Sequence, residues 1–369
     1  HIKPSPRCDN LRILWYNWMD IKNPEAGGAE VYTHEIAKRL VKKGHPVTLF
    51  TRNFKDAKPR DNIDGIEIIR AGGKYSVYRQ AKKHYKREFR GKIDLVIDEI
   101  NTKPFMTPKF VEEKIIAMIH QLAREYWFHE TPFPMSYIGY HFLEDRWLRS
   151  YIDVPVVTVS DSTKRDLEDF GFKKIFLVHN GLNVMPVVKV PEKSERPSIV
   201  FMGRMKRAKK PGDVVEAFRT VREKFRNAEL LMIGDGYLRR RLESGAGSGV
   251  RFFGYLDSET RDELVRRAWV IAVPGMREGW GQVVTDANAL GTPVVGYKVP
   301  GLRDSIKNGF NGLLVESSSE ALADGIMRIL SENDLRENLS RNAIEWARKF
   351  NWDKTAHEFL NIVEKVSFE

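Results

Sequence analysis

The chain has 369 residues, 42% hydrophobic and 30% charged, with a formal net charge of +11. That is too long for one ordinary core and too apolar for a disordered chain, so two globular domains are expected. The single cysteine, Cys8, excludes a disulfide framework or a thiolate metal cluster and fits a reducing compartment.

The opening HIKPSPRCDN lacks the apolar core of a signal peptide, and no apolar run reaches the ~20 residues of a membrane span. A cytoplasmic protein is expected, with peripheral contact to the membrane face open. The positive charge suits nucleic acid, an anionic membrane or a phosphorylated substrate, and by itself does not choose among them.

From the start, strand-like runs alternate with amphipathic helical runs, the pattern of parallel α/β sheets. In the first half the strands are LRILWY (11–16), PVTLFT (46–51), IEIIR (66–70), IDLVID (93–98), IIAMI (115–119), VVTV (156–159) and IFLVH (175–179). After the first strand, Gly27 and Gly28 precede a helix beginning near Ala29 that ends in lysines and Gly44. Amides at a helix start attract anions, and paired glycines let a phosphate come close; a plain surface loop is the other reading.

KYSVYRQAKKHYKREFRGK (74–92) holds eight Lys and Arg residues and one acid, with Tyr75, Tyr78, Tyr85 and Phe89 interleaved. A basic helix with aromatics can lie on an anionic membrane face; a solvated basic helix beside core aromatics is the plainer alternative. The fifth strand run ends at His120. By itself a histidine at a strand end is more often structural than catalytic. The aromatic stretch 124–151 follows directly and is read as acceptor-contacting.

Between 186 and 198, PVVKVPEKSERPS is proline-rich, charged and aperiodic, and reads as a linker. The domains are expected at 1–185 and 199–352, with a C-terminal helix at 353–369 crossing back to the first. The second strand series is SIVFMG (198–203), LLMIG (230–234), VRFFG (250–254), WVIAVPG (269–275) and TPVVGY (292–297). Several of these strands end in glycine, where backbone can approach a ligand at the carboxyl edge of an open sheet. Two such sheets facing one another would form a deep cleft.

Four segments carry candidate chemistry. In VFMGRMKRAKKP, Gly203 ends a strand and Arg204 and Lys209 follow, cations suited to a diphosphate. LLMIGDGYLRRRLE places Gly234 and Gly236 after a strand, but Arg239 stands where a dinucleotide fingerprint needs its third glycine, so an NAD site is rejected. VRFFG leads into Tyr255 and Leu256 at a strand end. In PGMREGWGQVVTDANALGTPVV, Glu278 precedes the turn Gly279-Trp280-Gly281, and Gln282 and Asp286 share a face of the following helix, with Val283, Ala287 and Leu290 on the sheet side. Two acids around free amides suit a ligand with hydroxyls at both ends and phosphates between them, the layout of a nucleotide sugar. A helix whose dipole merely favours acidic residues at its start explains only one of the two acids.

These segments, in this order, resemble the retaining glycosyltransferases of family 4, with the GT-B fold. The resemblance rests on Glu278 to Asp286 as E-x7-E, on Gly203, Arg204 and Lys209 as G-R-x4-K, and on GDG (234–236) and F-x-G (252–254). In the first half it rests on GGAE (27–30), IIAMIH ending at His120, VTVSDST, and HNGLN before the linker.

It implies two Rossmann-like parallel-sheet domains facing across the cleft, and transfer of a sugar from a nucleoside-diphosphate donor, UDP first and GDP next, to a glycan or lipid-linked hydroxyl. By resemblance Arg204 and Lys209 bind the leaving diphosphate and Gly28 lies against it. Glu278 and the amides of Gly279, Trp280, Gly281 and Gln282 hold the donor sugar and phosphate. His120 contacts the sugar, Tyr255 and Leu256 border the base, and Asp286 binds the ribose.

Asp286 is one methylene shorter than the family's usual Glu, and Asn183 stands where the family often has Asp. No Asp-x-Asp pair occurs, so no metal and no other cofactor are expected. An epimerase of the same fold and a basic nucleic-acid-binding protein are the alternatives. The second is disfavoured because a basic surface needs none of these motifs.

Overall fold

The protein was analysed as a computed structural model that describes residues 10–369; Cys8 and nearly all of the HIKPSPRCDN stretch lie outside the described residues. The chain divides into two compact units. The first runs to Gly181 and takes in Trp352–Glu369, and the second is Leu182–Asn351.

The first unit is built on an eight-stranded sheet. Its strands are β1 (Ile13–Tyr16), β2 (Val47–Thr51), β3 (Arg60–Ile63), β4 (Ile66–Arg70), β5 (Leu95–Glu99), β6 (Lys114–Met118), β7 (Val156–Thr158) and β8 (Ile175–Leu177), in the order β3-β4-β2-β1-β5-β6-β7-β8. All neighbours run parallel except β3 with β4. The strand order reverses at β1, which pairs with β2 on one side and β5 on the other, so the crevice at its carboxyl end is where an open sheet offers a ligand site. Every residue of β1 is buried, which is why it reads as an unbroken apolar run.

The helix Gly28–Lys42 follows, its first turn closed by the Glu30 carboxylate accepting the Gly27 N–H at 2.7 Å. The helix Trp352–Phe368 packs in the same unit. Trp15 and Phe359 stack at 5.3 Å, and Arg39 Nε donates to Asp353 at 2.6 Å.

The second unit carries β9 (Ser198–Met202), β10 (Glu229–Ile233), β11 (Val250–Gly254), β12 (Val270–Val273), β13 (Val294–Tyr297) and β14 (Gly312–Val315), ordered β11-β10-β9-β12-β13-β14 and all parallel. Here the order reverses at β9, which Gly203 follows. The unit has one core, filled by Ile199, Leu230, Val270 and Val294 from the strands and by Phe218, Val284 and Ile326 from the helices.

Packing fixes three local details. The stretch 186–198, expected as a linker, is bonded along the second unit. Val187 donates its N–H to Ala289 O at 2.8 Å, Lys193 Nζ donates to the carbonyls of Arg266 and Gly291 at 2.9 Å each, and Ser198 already belongs to β9. Its lack of periodicity reflects chain laid along a surface rather than chain in solvent.

In 74–92 the aromatics turn inward. Tyr85 is fully buried and Tyr78 and Phe89 pack on the core, which leaves Tyr75 as the exposed ring. On the helix Gln282–Ala289, Val283 packs against the core beside the buried Ala287 and Leu290, as expected, and Val284 is fully buried as well.

Arg70, at the end of β4, and Asp20, in the loop after β1, form a two-pronged pair at 2.7 and 2.9 Å with side chains 1% and 0% exposed. Removing one member leaves the other charge buried. Arg70→Ala is therefore expected to destabilise the protein by roughly 3–5 kcal/mol in urea denaturation, and a change below about 1 kcal/mol would contradict this.

Candidate active site

In the second unit the candidate residues gather at the carboxyl ends of β9, β10 and β12. The loop leaving Gly203 crosses the turn after β10. Met205 N–H donates to Asp235 O at 2.8 Å, and Leu238 N–H donates to Met205 O at 3.0 Å. This close crossing is what Gly234 and Gly236 serve. A Cβ on Gly234 would lie 2.1 Å from Gly203 O, and one on Gly236 2.5 Å from Met205 O. Arg204 is half-buried on this loop, and the loop ends in the short helix Arg207–Lys209.

Lys209 Nζ donates to Glu278 Oε1 at 2.5 Å. Glu278 is fixed by its backbone as well, its N–H donating to Pro300 O at 3.0 Å. A cation and an acid from segments 69 residues apart thus meet at one point.

Gly281, with φ of 85°, lets the chain turn into the helix Gln282–Ala289; a side chain there would also press on Ser305 and Leu302. Trp280 is 4% exposed and sits edge-on to Phe350 at 5.1 Å, so its indole anchors the turn. Tyr255 is 73% exposed at the end of β11, and Leu256 is half-buried beside it.

Asp286 is 8% exposed and accepts three hydrogen bonds. They come from Asn183 N–H at 3.0 Å, Asn183 Nδ2 at 3.0 Å and Gln282 Nε2 at 2.9 Å. Asn183, to which the sequence attached no role, is thus the partner of Asp286. The pair lies 103 residues apart in sequence, so no local pattern announces it. Burial raises the Asp286 carboxyl to about 6, and the hydrogen bonds from Asn183 and Gln282 offset this in part.

In the first unit, Gly28 opens its helix and a Cβ there would meet nothing within 4 Å. His120 follows β6. Its ring lies edge-on to Tyr32 at 5.1 Å, and its Nε2 is 2.9 Å from Oε1 of Glu99, the last residue of β5. Glu99 went unremarked in the sequence; the available signal was an acid ending a strand that is otherwise apolar. The segment 126–143 turns much of its apolar surface outward, with Phe133 82% and Phe142 60% exposed and Phe128, Met135, Tyr137 and Ile138 also in solvent. No helix among the described residues is long and apolar enough to cross a membrane.

Two family models match in tandem, "Glycosyltransferase Family 4" over residues 26–185 and "Glycosyl transferases group 1" over residues 187–346. The chain belongs to these family 4 glycosyltransferases and has their GT-B fold of two parallel-sheet Rossmann-like domains. It is similar to an uncharacterized glycosyltransferase of Methanocaldococcus jannaschii, 26% identical over 93% of this chain and 95% of that protein. In fold it is similar to sucrose-phosphate synthase from Thermosynechococcus elongatus, with TM-score 0.78, 20% identity, and 96% and 98% of the two chains covered. It is also similar to HepE of Anabaena, solved in complex with UDP and glucose, with TM-score 0.72, 15% identity, and 96% and 100% covered.

The raised Asp286 carboxyl has a consequence for stability. The folded chain keeps that proton up to about pH 6, whereas the unfolded chain releases it near the ordinary 3.8. The group's stabilising contribution is therefore full below pH 4 and lost as pH rises through 6, roughly 2–3 kcal/mol in all. Asp286→Asn removes this slope. Thermal denaturation should show the variant gaining on the wild type between pH 4 and 7, and a constant difference across that range would contradict the assignment.

Proposed function

We propose that the protein moves a sugar from a nucleoside-diphosphate donor to a hydroxyl acceptor with retention at the anomeric carbon. The observation that carries the reading is the meeting of Glu278 with Lys209, which shares a loop with Arg204, after strand ends where glycines bring backbone close. Ammonium and guanidinium groups suit a diphosphate, and the carboxylate suits sugar hydroxyls. The amides of Gly279 to Gln282 suit the donor's sugar and phosphate at a helix start. The likeness to a fold solved with UDP supports UDP as the first donor to try, with GDP next. Tyr255 and Leu256 are assigned to the base, and Asp286 to the ribose side of the donor.

In the proposed chemistry the bond between the anomeric carbon and the β-phosphate oxygen breaks, and its electron pair leaves with the diphosphate. The acceptor hydroxyl attacks from the same face and its proton passes to the departing phosphate oxygen. Arg204 and Lys209 neutralise the charge that develops, which makes them more important in the transition state than in the ground state. No metal is assigned, since the sequence offers no Asp-x-Asp pair and the cations take that role.

Gly28 supports a ligand on the first unit, because nothing among the described residues crowds its missing side chain. His120 is assigned to the donor sugar. The exposed apolar surface of 126–143 is assigned to a lipid-bearing acceptor or membrane face, in preference to 74–92, whose aromatics apart from Tyr75 turn inward.

Incubation with a panel of nucleotide sugars in excess EDTA tests the reading. Slow hydrolysis of one donor is expected. Lys209→Ala should lower its kcat by about a hundredfold or more with the fold intact. Gly28→Ala should keep or raise stability, by up to ~1 kcal/mol from helix propensity, yet weaken donor hydrolysis. Activity that vanishes with EDTA and returns with Mg²⁺, or full activity in Lys209→Ala, would refute the assignment. For the membrane face, joint replacement of Phe133 and Phe142 by Ser should abolish co-sedimentation with phosphatidylglycerol vesicles. Unchanged co-sedimentation would remove this surface from the account.

A further inference from the structure

Glu99 is 1% exposed and is the acceptor on which three side chains converge. Trp15 Nε1 donates to Oε2 at 2.9 Å, and the Thr33 hydroxyl donates to the same oxygen. His120 Nε2 approaches the other oxygen, Oε1, at 2.9 Å. The three partners come from β1, from the helix Gly28–Lys42 and from the end of β6.

The direction of each hydrogen bond can be worked out. An indole N–H only donates. The Thr33 oxygen accepts from Asn17 Nδ2 at 3.2 Å, which turns its own proton toward Glu99. The Asn17 amide is oriented in turn, because its Oδ1 accepts the Trp18 N–H at 2.6 Å and Asn101 Nδ2 at 3.0 Å. A backbone N–H therefore fixes the sense of the whole chain as far as Oε2. With both lone pairs of Oε2 engaged, Glu99 acts as an acceptor, and the proton shared with His120 sits on the imidazole.

We propose that Glu99 is a positioning residue that holds His120 as the Nε2–H tautomer, so that the bare Nδ1 faces substrate as a hydrogen-bond acceptor. The ring is held in place from two further sides. Tyr32 lies edge-on to it, and Thr163 Oγ1 donates to the His120 carbonyl at 3.1 Å. No hydrogen bond to Nδ1 is made among the described residues, and the side chain is 13% exposed. A hydroxyl of the donor sugar is the group Nδ1 would accept from. Only that last assignment rests on the proposed function; the tautomer itself does not.

Glu99→Gln isolates the effect. Trp15 and Thr33 both donate, so the new carbonyl oxygen must take the place of Oε2, and the new amide NH₂ must face His120. The imidazole then accepts at Nε2 and carries its proton on Nδ1, which turns the substrate-facing acceptor into a donor. The exchange is nearly isosteric, and the loss of a correctly held tautomer should lower kcat for donor hydrolysis by about tenfold or more, with nucleoside-diphosphate affinity unchanged.

The test is nitrogen NMR on protein with ¹⁵N-labelled histidine rings, the His120 signals being assigned by their loss in His120→Gln. The wild type should show a protonated Nε2 and a bare Nδ1, and Glu99→Gln the reverse. A protonated Nδ1 with a bare Nε2 in the wild type overturns the proposal, and this measurement stands even where the variant fails to fold. A folded Glu99→Gln with the wild-type tautomer and full kcat overturns it too. A wild type that hydrolyses no nucleotide sugar but shows the Nε2–H tautomer counts against the proposed function and supports this assignment.

Discussion

Glu278 has almost no freedom. A Cβ at Gly301 would come within 2.0 Å of its carbonyl oxygen, and one at Gly275 within 2.6 Å of its carboxylate Oε1. Its N–H is taken by Pro300 O, and Lys209 closes on its carboxylate from the loop after β9. At Gly301, where the contact is with backbone and φ is 82°, only glycine fits. The result is an acid whose backbone is fixed in place and whose carboxylate is met by the Lys209 ammonium from another segment. Preorganisation of this kind is what lets charged groups stabilise a transition state without reorganising when it forms.

The first unit reaches a similar rigidity by other means. Its polar groups at the carboxyl ends of β1, β5 and β6 are buried and satisfied by one another rather than by solvent. Glu99 takes three donors, Asp98 takes the Tyr151 and Thr107 hydroxyls, and Asp20 takes Arg70. Burial raises the Asp98 carboxyl in spite of these bonds. A partly satisfied network of this sort would cost stability, whereas a completed one fixes side-chain orientation, and His120 inherits that fixity. Where the second unit uses close backbone approach, the first uses convergent hydrogen bonds.

Most of the fold could be read from the sequence, because parallel strands buried on both faces leave long apolar runs. β3 was missed because RDNI is polar and lies on an exposed antiparallel edge. The Asp64-Gly65 pair that turns the chain into β4, with φ of 52° and 84°, was the one available cue. β14 was missed because GLLV is a short run behind an Asn-Gly turn. Glycines, cations and acids of the site could be located because they fall at strand ends or in the loops and helix starts that follow them. Their partners could not. Lys209 meets Glu278, Asn183 meets Asp286 and Trp15 meets Glu99 across 69, 103 and 84 residues, and no local periodicity encodes such pairings. Trp280 shows the converse. It stood in a suggestive motif, yet its ring is a packing anchor on Phe350.

The central claim is that Arg204, Lys209 and the turn after Glu278 form a diphosphate site. Calorimetric titration of the wild type with UDP and with UMP, both in EDTA, tests it most directly. A β-phosphate held by two cations is expected to make UDP bind at least about tenfold more tightly than UMP, since charge-assisted contacts are the stronger class of hydrogen bond. Equal affinity for the two nucleotides would contradict the account.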